Sequence, residues 1–263
     1  MIGLTVTLAA LCSSGIATAQ ETTQEAIPGK RTRIGLGPQL VPSYPGSKSV
    51  SIRPLIDVSR ARGDETFAFE AADEAAGFPL LRRGKLSLGP SIGFEGSRTA
   101  SDVGAPLRKV GFTVEAGGFA QYQLATPVRL RADVRKGIGG HRGVIATLGA
   151  DYIRRDGDRW LFSLGPRVTL ADDRYQRAYF GVDAVDAAAT GLPLFDAGAG
   201  VQAVGATAGM TRQFTPRWGI YGYAKYDRLV GDAARSPIVR GFGSRDQLSG
   251  GVAVTYVFGR SRD

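Results

Sequence analysis

Apolar and polar residues alternate with period two along most of this chain, and this pattern constrains the fold more than any other feature. The clearest example lies near the C-terminus, where the apolar or small positions from Leu248 to Phe258 alternate with polar or small ones. Successive side chains of an extended strand point to opposite faces, so such a segment has one apolar and one polar face. Similar segments occupy residues 85–95, 112–124, 128–135, 160–170 and 217–227. The pattern predicts an all-β protein of antiparallel strands.

Alternation alone leaves two kinds of barrel open, because it does not say which face is inside. A soluble, lipocalin-like barrel buries the apolar face, whereas a transmembrane barrel turns that face to lipid. Several segments reach about ten residues, the length that a tilted strand needs to cross a bilayer. Aromatic residues concentrate near the segment ends, as an interfacial girdle requires, and short and long connections alternate. These features favour the transmembrane antiparallel β-barrel.

Counting the segments back from the C-terminus predicts twelve strands, with the N-terminus in the periplasm. Short periplasmic turns fall at residues 126–127, 156–158 and 215–216, and the longest outer loops at residues 172–198 and 230–245. The third and fourth strands, at residues 67–71 and 77–81, are the shortest, and an outer loop near Asp73 and Glu74 would join them. Without these two strands the count is ten. Closure is expected because only a closed barrel pairs every backbone amide and carbonyl in lipid.

The N-terminal residues have the composition of a leader. An apolar stretch at residues 4–11 precedes the small residues Ala17, Thr18 and Ala19, which predicts a signal peptide over residues 1–19. A periplasmic N-terminal segment would then cover residues 20–32, the barrel residues 33–258, and a C-terminal extension residues 259–263. An exported barrel of this kind belongs in the outer membrane of a Gram-negative bacterium.

The composition excludes several classes of active site. The only cysteine, Cys12, lies in the predicted leader, and the only histidine is His141. Sites built from several Cys or His ligands are therefore excluded, and no catalytic triad can be recognised. We interpret His141 as a turn residue beside Gly139 and Gly140. The chain is expected not to be an enzyme and to need no cofactor.

Charged residues on the polar faces of the strands are predicted to line the barrel lumen. They are Arg53, Glu115, Arg129, Arg131, Asp133, Arg135, Asp151, Arg167, Lys225 and Asp227. Mixed charges could tune a channel, but mutual pairing that plugs a narrow barrel is the favoured interpretation.

A second group of arginines falls in the predicted outer loops: Arg98, Arg108, Arg174, Arg177, Arg235, Arg240 and Arg245. They could bridge lipopolysaccharide phosphates, because the guanidinium fork matches phosphate geometry. Ordinary solvated loop charges are an equal alternative. The formal charge of +9 is spread along the chain without a basic run, which favours lipid phosphate over nucleic acid.

Several stretches, in this order and spacing, resemble the MipA/OmpV family of outer-membrane proteins (MltA-interacting proteins). They are PSYPGS at residues 42–47, KLSLGP at residues 85–90, Tyr175 with YFGV at residues 179–182, and YDRLVGDAARSPIV at residues 226–239, followed by Gly243, Ser244 and Gln247. The resemblance covers nearly all of the chain after the leader.

The resemblance implies an outer-membrane barrel without known catalysis. Its founding member is viewed as a scaffold that links a murein-degrading lytic transglycosylase to a murein-synthesising penicillin-binding protein. The scaffold is therefore the first functional hypothesis for this chain. A narrow channel or small-solute and antibiotic-responsive binder is the first alternative, and a surface adhesin that uses residues 172–198 and 230–245 is the second.

Overall fold

A computed structural model describes residues 29–259 and contains one antiparallel sheet of twelve strands, which confirms the predicted fold class and strand count. The strands are β1 Lys30–Pro42, β2 Val50–Arg62, β3 Ala76–Gly77, β4 Leu81–Arg83, β5 Leu86–Glu95, β6 Thr113–Ala125, β7 Val128–Gly139, β8 Val144–Asp156, β9 Trp160–Ala171, β10 Gly200–Gln213, β11 Trp218–Leu229 and β12 Asp246–Phe258. The predicted signal peptide, most of the N-terminal segment and most of the C-terminal extension lie outside the described residues.

The sheet curls because the first strand pairs with the last. β1 lies between β2 and β12, and the sheet then continues in chain-reversed order from β12 to β5. β3 and β4 both pair with β5 at the other end of the sheet. In the described part of the chain no ladder joins β2 to β3 or β4, so the expected closure by strand pairing is not met and a seam separates the two ends of the curled barrel.

The alternation places apolar side chains outside and polar ones inside. Along β2, Ile52 is 77% exposed and Ile56 is 63% exposed, whereas Ser59 on the opposite face is buried. The outward residues form the lipid-facing surface expected of a transmembrane barrel. At the periplasmic end, the ring of Tyr256 lies between Trp218 and Phe258, with 4.7 Å between ring centroids on each side. This aromatic group sits where an interfacial girdle is expected.

The strands flanking the seam differ from the sequence-based prediction. Residues 67–71 form no strand, so that prediction is wrong. The predicted strand at residues 77–81 is replaced by two short strands, β3 and β4, which pair one after the other with β5. Between them, the three residues 78–80 lie opposite only two residues of β5, Gly89 and Pro90. Such an extra residue is a β-bulge, and Pro79 lies within it and has no amide hydrogen to donate. β3 and β4 therefore lie in line along β5, and because they are separate the sheet has twelve strands although residues 67–71 form none.

Residues 64–75, called here the inner segment, enter the barrel instead of spanning it. The segment leaves the periplasmic end of β2, where Gly63 N donates to Gly29 O at 2.8 Å, and it joins the wall again at β3. The predicted outer loop near Asp73 and Glu74 is therefore wrong, because both carboxylates lie inside the barrel among wall arginines. The pairing of Asp73 and Glu74 with these arginines outweighs the tendency of acidic residues to form an exposed turn.

The outer connections fold into a compact lid with five short helices: α1 Ala100–Val103, α2 Asp173–Phe180, α3 Ala184–Thr190, α4 Gly231–Arg235 and α5 Pro237–Phe242. Asp172 begins α2 by accepting a hydrogen bond from Tyr175 N at 2.8 Å, as an N-cap does. Tyr175, Tyr179 and Phe180 of α2 are buried in the same cluster as Val239 of α5. No helix among the described residues is long and apolar enough to cross a membrane.

Candidate functional site: the charged lumen and its outer lid

The upper part of the lumen, next to the outer lid, holds a chain of paired charges on β6 and β7. Arg135 donates from Nε to Glu115 Oε2 at 2.8 Å and also pairs with Asp133. Arg131 Nη2 lies 3.4 Å from Asp133 Oδ2. These residues stand at alternating positions of neighbouring strands, so their side chains point to the same face of the sheet. Each of the four predicted lumen residues faces inward and has an oppositely charged neighbour.

The middle of the lumen is crossed by a second group of pairs, centred on Asp151 of β8. This carboxylate accepts a hydrogen bond from Arg129 Nη2 at 2.5 Å and another from Arg167 Nη2 at 2.7 Å. The Arg129 side chain is 1% exposed and that of Asp151 is 2% exposed. Removing two charges from water costs several kcal/mol for each, and only close pairing compensates for that cost. The pairing therefore ties β7, β8 and β9 together from inside.

The remaining predicted lumen residues lie farther around the wall. Lys225 Nζ is 2.9 Å from Asp227 Oδ2 on the same strand. Arg53 lies apart from this network, at the outer end of β2, and donates from Nη2 to Ser43 O at 3.1 Å. Nine of the ten predicted lumen residues therefore pair with an opposite charge, whereas Arg53 contacts a backbone carbonyl instead.

The inner segment supplies the lumen residues that sequence reasoning missed. Arg167 donates to Asp73 from Nε at 2.9 Å and from Nη2 at 3.2 Å, and Lys225 Nζ lies 3.6 Å from the same carboxylate. Glu74 pairs with Arg129 and lies 3.6 Å from Arg131 Nη1. Two adjacent carboxylates thus fill the space between four cationic wall side chains. No sequence signal distinguishes them from an exposed acidic turn.

Aromatic rings extend this packing toward the periplasm. The guanidinium of Arg129 lies over Phe69 of the inner segment, 4.3 Å from the ring centroid. The guanidinium of Arg33 lies 5.2 Å from the ring of Phe67, which is 2% exposed. Cation–π contacts gain strength when water is excluded from them. The inner segment is therefore held by both its rings and its carboxylates.

The periplasmic end of the inner segment is fastened to the turn between β8 and β9. Phe67 N donates to Asp158 Oδ1 at 3.0 Å, and Arg155 Nη1 donates to Phe67 O at 2.9 Å. A cavity of about 20 Å³ remains here, and another of about 20 Å³ lies beside Asp73 and Glu74. Each has room for about one water molecule. The inner segment therefore leaves only small cavities beside its neighbours at these two places.

His141 lies in the turn between β7 and β8, where it is a buried residue of the lid. Its side chain is 0% exposed, and its Nε2 lies 3.1 Å from Glu115 Oε1. Gly143 N donates to His141 Nδ1 at 3.1 Å, so Nδ1 accepts and Nε2 carries the proton donated to Glu115. The ring of Tyr175 meets the imidazole edge-on at 4.7 Å. Burial raises the pKa of Tyr175 well above its ordinary value, so this phenol remains neutral. The histidine thus joins the lid to the lumen network.

The prediction that Arg98 contacts lipopolysaccharide is wrong. Its side chain is buried beneath the lid, where Nη1 donates to Tyr179 O at 2.8 Å and Nη2 donates to Arg108 O at 3.0 Å. A guanidinium held in this way by backbone carbonyls cannot reach a lipid phosphate. Burial also lowers the pKa of Arg98 below its ordinary value. Arg98 is a structural residue that fastens α2 to the loop after β5.

The other predicted outer-loop arginines lie at the surface, in two groups. Arg108, Arg177 and Arg235 already pair with lid carboxylates. Arg174 and Arg240 are exposed and Arg245 is half-buried, and none of the three has an ion pair within residues 29–259. The arginines of the second group are more accessible to an external anion. Within residues 29–259 these three side chains share no contact that would form a single site.

This chain is similar to a known protein family and, more distantly, to several solved structures. The family model described as MltA-interacting protein MipA matches residues 34–258. No curated protein matches the chain significantly. Among solved structures, OmpT, an outer membrane protein of Vibrio cholerae, is 8% identical with a TM-score of 0.33, covering 88% of this chain and 98% of its own. The COG4313 outer membrane channel from Pseudomonas putida F1 is 11% identical with a TM-score of 0.35, covering 88% and 96%. The P. putida toluene transporter TodX is 9% identical with a TM-score of 0.34, covering 90% of each chain.

Proposed function

This chain is an outer-membrane β-barrel that belongs to the MipA family, and we propose that it serves as a non-catalytic scaffold for enzymes that remodel murein. The family is described by its interaction with MltA, a lytic transglycosylase. The proposed partners are a lytic transglycosylase of this kind and a murein-synthesising penicillin-binding protein. Both would have to meet the barrel from the periplasm, where murein lies.

The observation that carries the proposal is the basic periplasmic rim of the barrel, defined by Arg82, Arg83, Arg154, Arg159 and Arg217. All five side chains are exposed. The periplasmic turns are too short to form a docking domain, but they hold these charges at fixed positions on strand ends. A rigid, positively charged surface of this kind steers acidic partners and fixes their orientation.

The filled lumen supports a scaffold over an open pore. Asp73 and Glu74 occupy the middle of the barrel, and the lid covers its outer end. Paired charges and packed helices make the barrel a stiff support. A stiff support presents its docking surface without an ordering cost at each encounter.

The test measures binding of the purified, folded chain in lipid nanodiscs to a purified lytic transglycosylase. Replacing Arg82, Arg83 and Arg159 by Ser should weaken the dissociation constant by about tenfold or more, equivalent to about 1.4 kcal/mol. The matched control replaces three exposed outer-loop cations, Arg174, Arg235 and Arg240, by Ser and should leave binding unchanged. Absence of a complex with the unaltered chain, or equal loss in both variants, would contradict the scaffold.

A further inference from the structure

Four cationic side chains in the middle of the lumen surround two carboxylates that belong to the inner segment and not to the wall. Arg167 makes a two-point contact with Asp73, and Lys225 approaches the same carboxylate. Arg129 and Arg131 face Glu74. The fork of an arginine accepts a carboxylate or a phosphate with the same geometry. Asp133, Asp151 and Asp227 of the wall also pair with these cations, so the inner segment supplies only part of their charge compensation. The positive charge that the wall leaves uncompensated gives it the chemistry of an anion site, and the chain's own residues occupy that site.

The inner segment is attached differently from every wall strand. It has no place in the ladder, since the sheet passes directly from β2 to β1 on one side and ends at β3 on the other. It is held by side-chain contacts such as Arg129 Nη1 to Phe69 O at 3.2 Å and Arg155 Nη1 to Phe67 O at 2.9 Å. Thr66 and Ala68 are exposed. Displacing the segment would therefore break side-chain contacts but no strand pairing.

One of the four cations has unused hydrogen-bonding capacity. The Arg131 side chain is 8% exposed, and its Nε is buried without a hydrogen-bond partner in the described residues. Arg131 lines the small cavity beside Asp73 and Glu74. A buried guanidinium N–H that lacks an acceptor is costly, and an anion oxygen placed within hydrogen-bonding distance of it would satisfy it. Glu74 satisfies this site only in part.

We propose that Arg129, Arg131, Arg167 and Lys225 form a lumenal binding site for small dianions, which the carboxylates of Asp73 and Glu74 occupy until such a ligand displaces the inner segment. The ligand class follows from the occupant, because two adjacent side chains present two anionic groups to paired cations. Dicarboxylates and diphosphates share this chemistry. The inference is independent of the scaffold role, which depends on the periplasmic rim.

The test exploits the absence of cysteine after residue 12. A reporter cysteine replaces Ala71 of the inner segment, which is 8% exposed, and its reaction with a membrane-impermeant maleimide is timed on the folded chain in lipid vesicles. Succinate and pyrophosphate are added separately, with sodium chloride at matched ionic strength as the reference. A dianion that displaces the segment should speed labelling saturably, by about tenfold at full occupancy, which corresponds to a tenfold shift in the open population.

Two further variants separate displacement from general loosening. A reporter at Ala188, exposed on α3, should label at one rate with or without dianion. The isosteric double change Asp73→Asn with Glu74→Gln, made in the Ala71→Cys chain, should raise labelling without any ligand, whereas Asp102→Asn on the lid should not. A response to succinate alone or pyrophosphate alone identifies the ligand source. The proposal is overturned if labelling in the otherwise unaltered chain is the same with both dianions as with chloride, and that result stands even if the double variant does not fold.

Discussion

Arg167 of β9 donates to the carboxylate of Asp73 from both Nε and Nη2, at 2.9 and 3.2 Å. The contact joins a wall strand to a segment 94 residues earlier in the chain that has no ladder pairing of its own. The same guanidinium reaches Asp151 at 2.7 Å. Arg167 therefore couples the position of the inner segment to the pairing that holds β8 and β9 together.

Replacing Arg167 by Met should destabilise the barrel strongly. The substitution keeps the length of the side chain but leaves Asp73 and Asp151 buried with fewer cations, and losing one partner of a buried pair costs about 3–5 kcal/mol. Unfolding in urea, followed by the gel shift between folded and boiled protein, measures the change. Arg159→Met is the matched control, since its ion pair with Asp156 is exposed and worth about 0–1 kcal/mol. A loss for Arg167→Met as small as the control would show that the lumen pairs are hydrated.

Gly137 should not tolerate alanine unless His141 is also shortened. A Cβ at Gly137 would lie 2.3 Å from Cε1 of the His141 ring, which is fully buried against Glu115 and Tyr175. The ring has no room to move, so Gly137→Ala should cost about 1–3 kcal/mol, as overpacking of a filled core does. Adding His141→Ala should recover part of that loss, which a double-mutant cycle on urea unfolding measures. Simple addition of the two losses would mean that the glycine is required for another reason.

The sequence predicted the wall well because a single physical rule generates it. The residues from Leu248 to Phe258 alternate since one face meets lipid, and β12 covers them all. The inner segment obeys no such rule: Asp73 and Glu74 are indistinguishable from an exposed turn until the arginines of distant strands are placed around them. The same limit explains Arg98, whose acceptor Tyr179 O lies 81 residues away.

The lid helices lie between these extremes. Asp172 and Asp183 are ordinary N-cap residues, and both precede helices in the structure. The N-cap residues could be recognised in the sequence, but both helices are short, and α2 depends on burial of Tyr175 and Phe180 rather than on intrinsic propensity. Local signals therefore indicate where such helices begin, while tertiary packing decides whether they form.

Gln247 should control access to the loop between β1 and β2. Its side chain accepts a hydrogen bond from Gly46 N at 3.0 Å and donates one to Ser47 O at 3.0 Å. Gln247→Leu removes both bonds and leaves two buried backbone groups unsatisfied, at about 1–3 kcal/mol for each group. Trypsin should then cleave faster after the exposed Lys48, by about tenfold or more, since each 1.4 kcal/mol of opening free energy is a factor of ten. The control is Ser244→Ala, at the end of the connection between β11 and β12. Equal cleavage in both variants would argue against control of this loop by the two Gln247 hydrogen bonds.

Both tryptophans should report the same membrane depth. The chain has two, Trp160 and Trp218, which begin β9 and β11 at the periplasmic ends of these strands. An interfacial girdle holds such rings near the lipid headgroups, so bromine placed high on the acyl chain should quench the fluorescence more than bromine near the bilayer centre. The single variants Trp160→Phe and Trp218→Phe separate the two signals, and each remaining tryptophan should give the same depth profile. Stronger quenching from the bilayer centre for either ring would place that strand end inside the membrane and would shift the inferred boundary of the barrel.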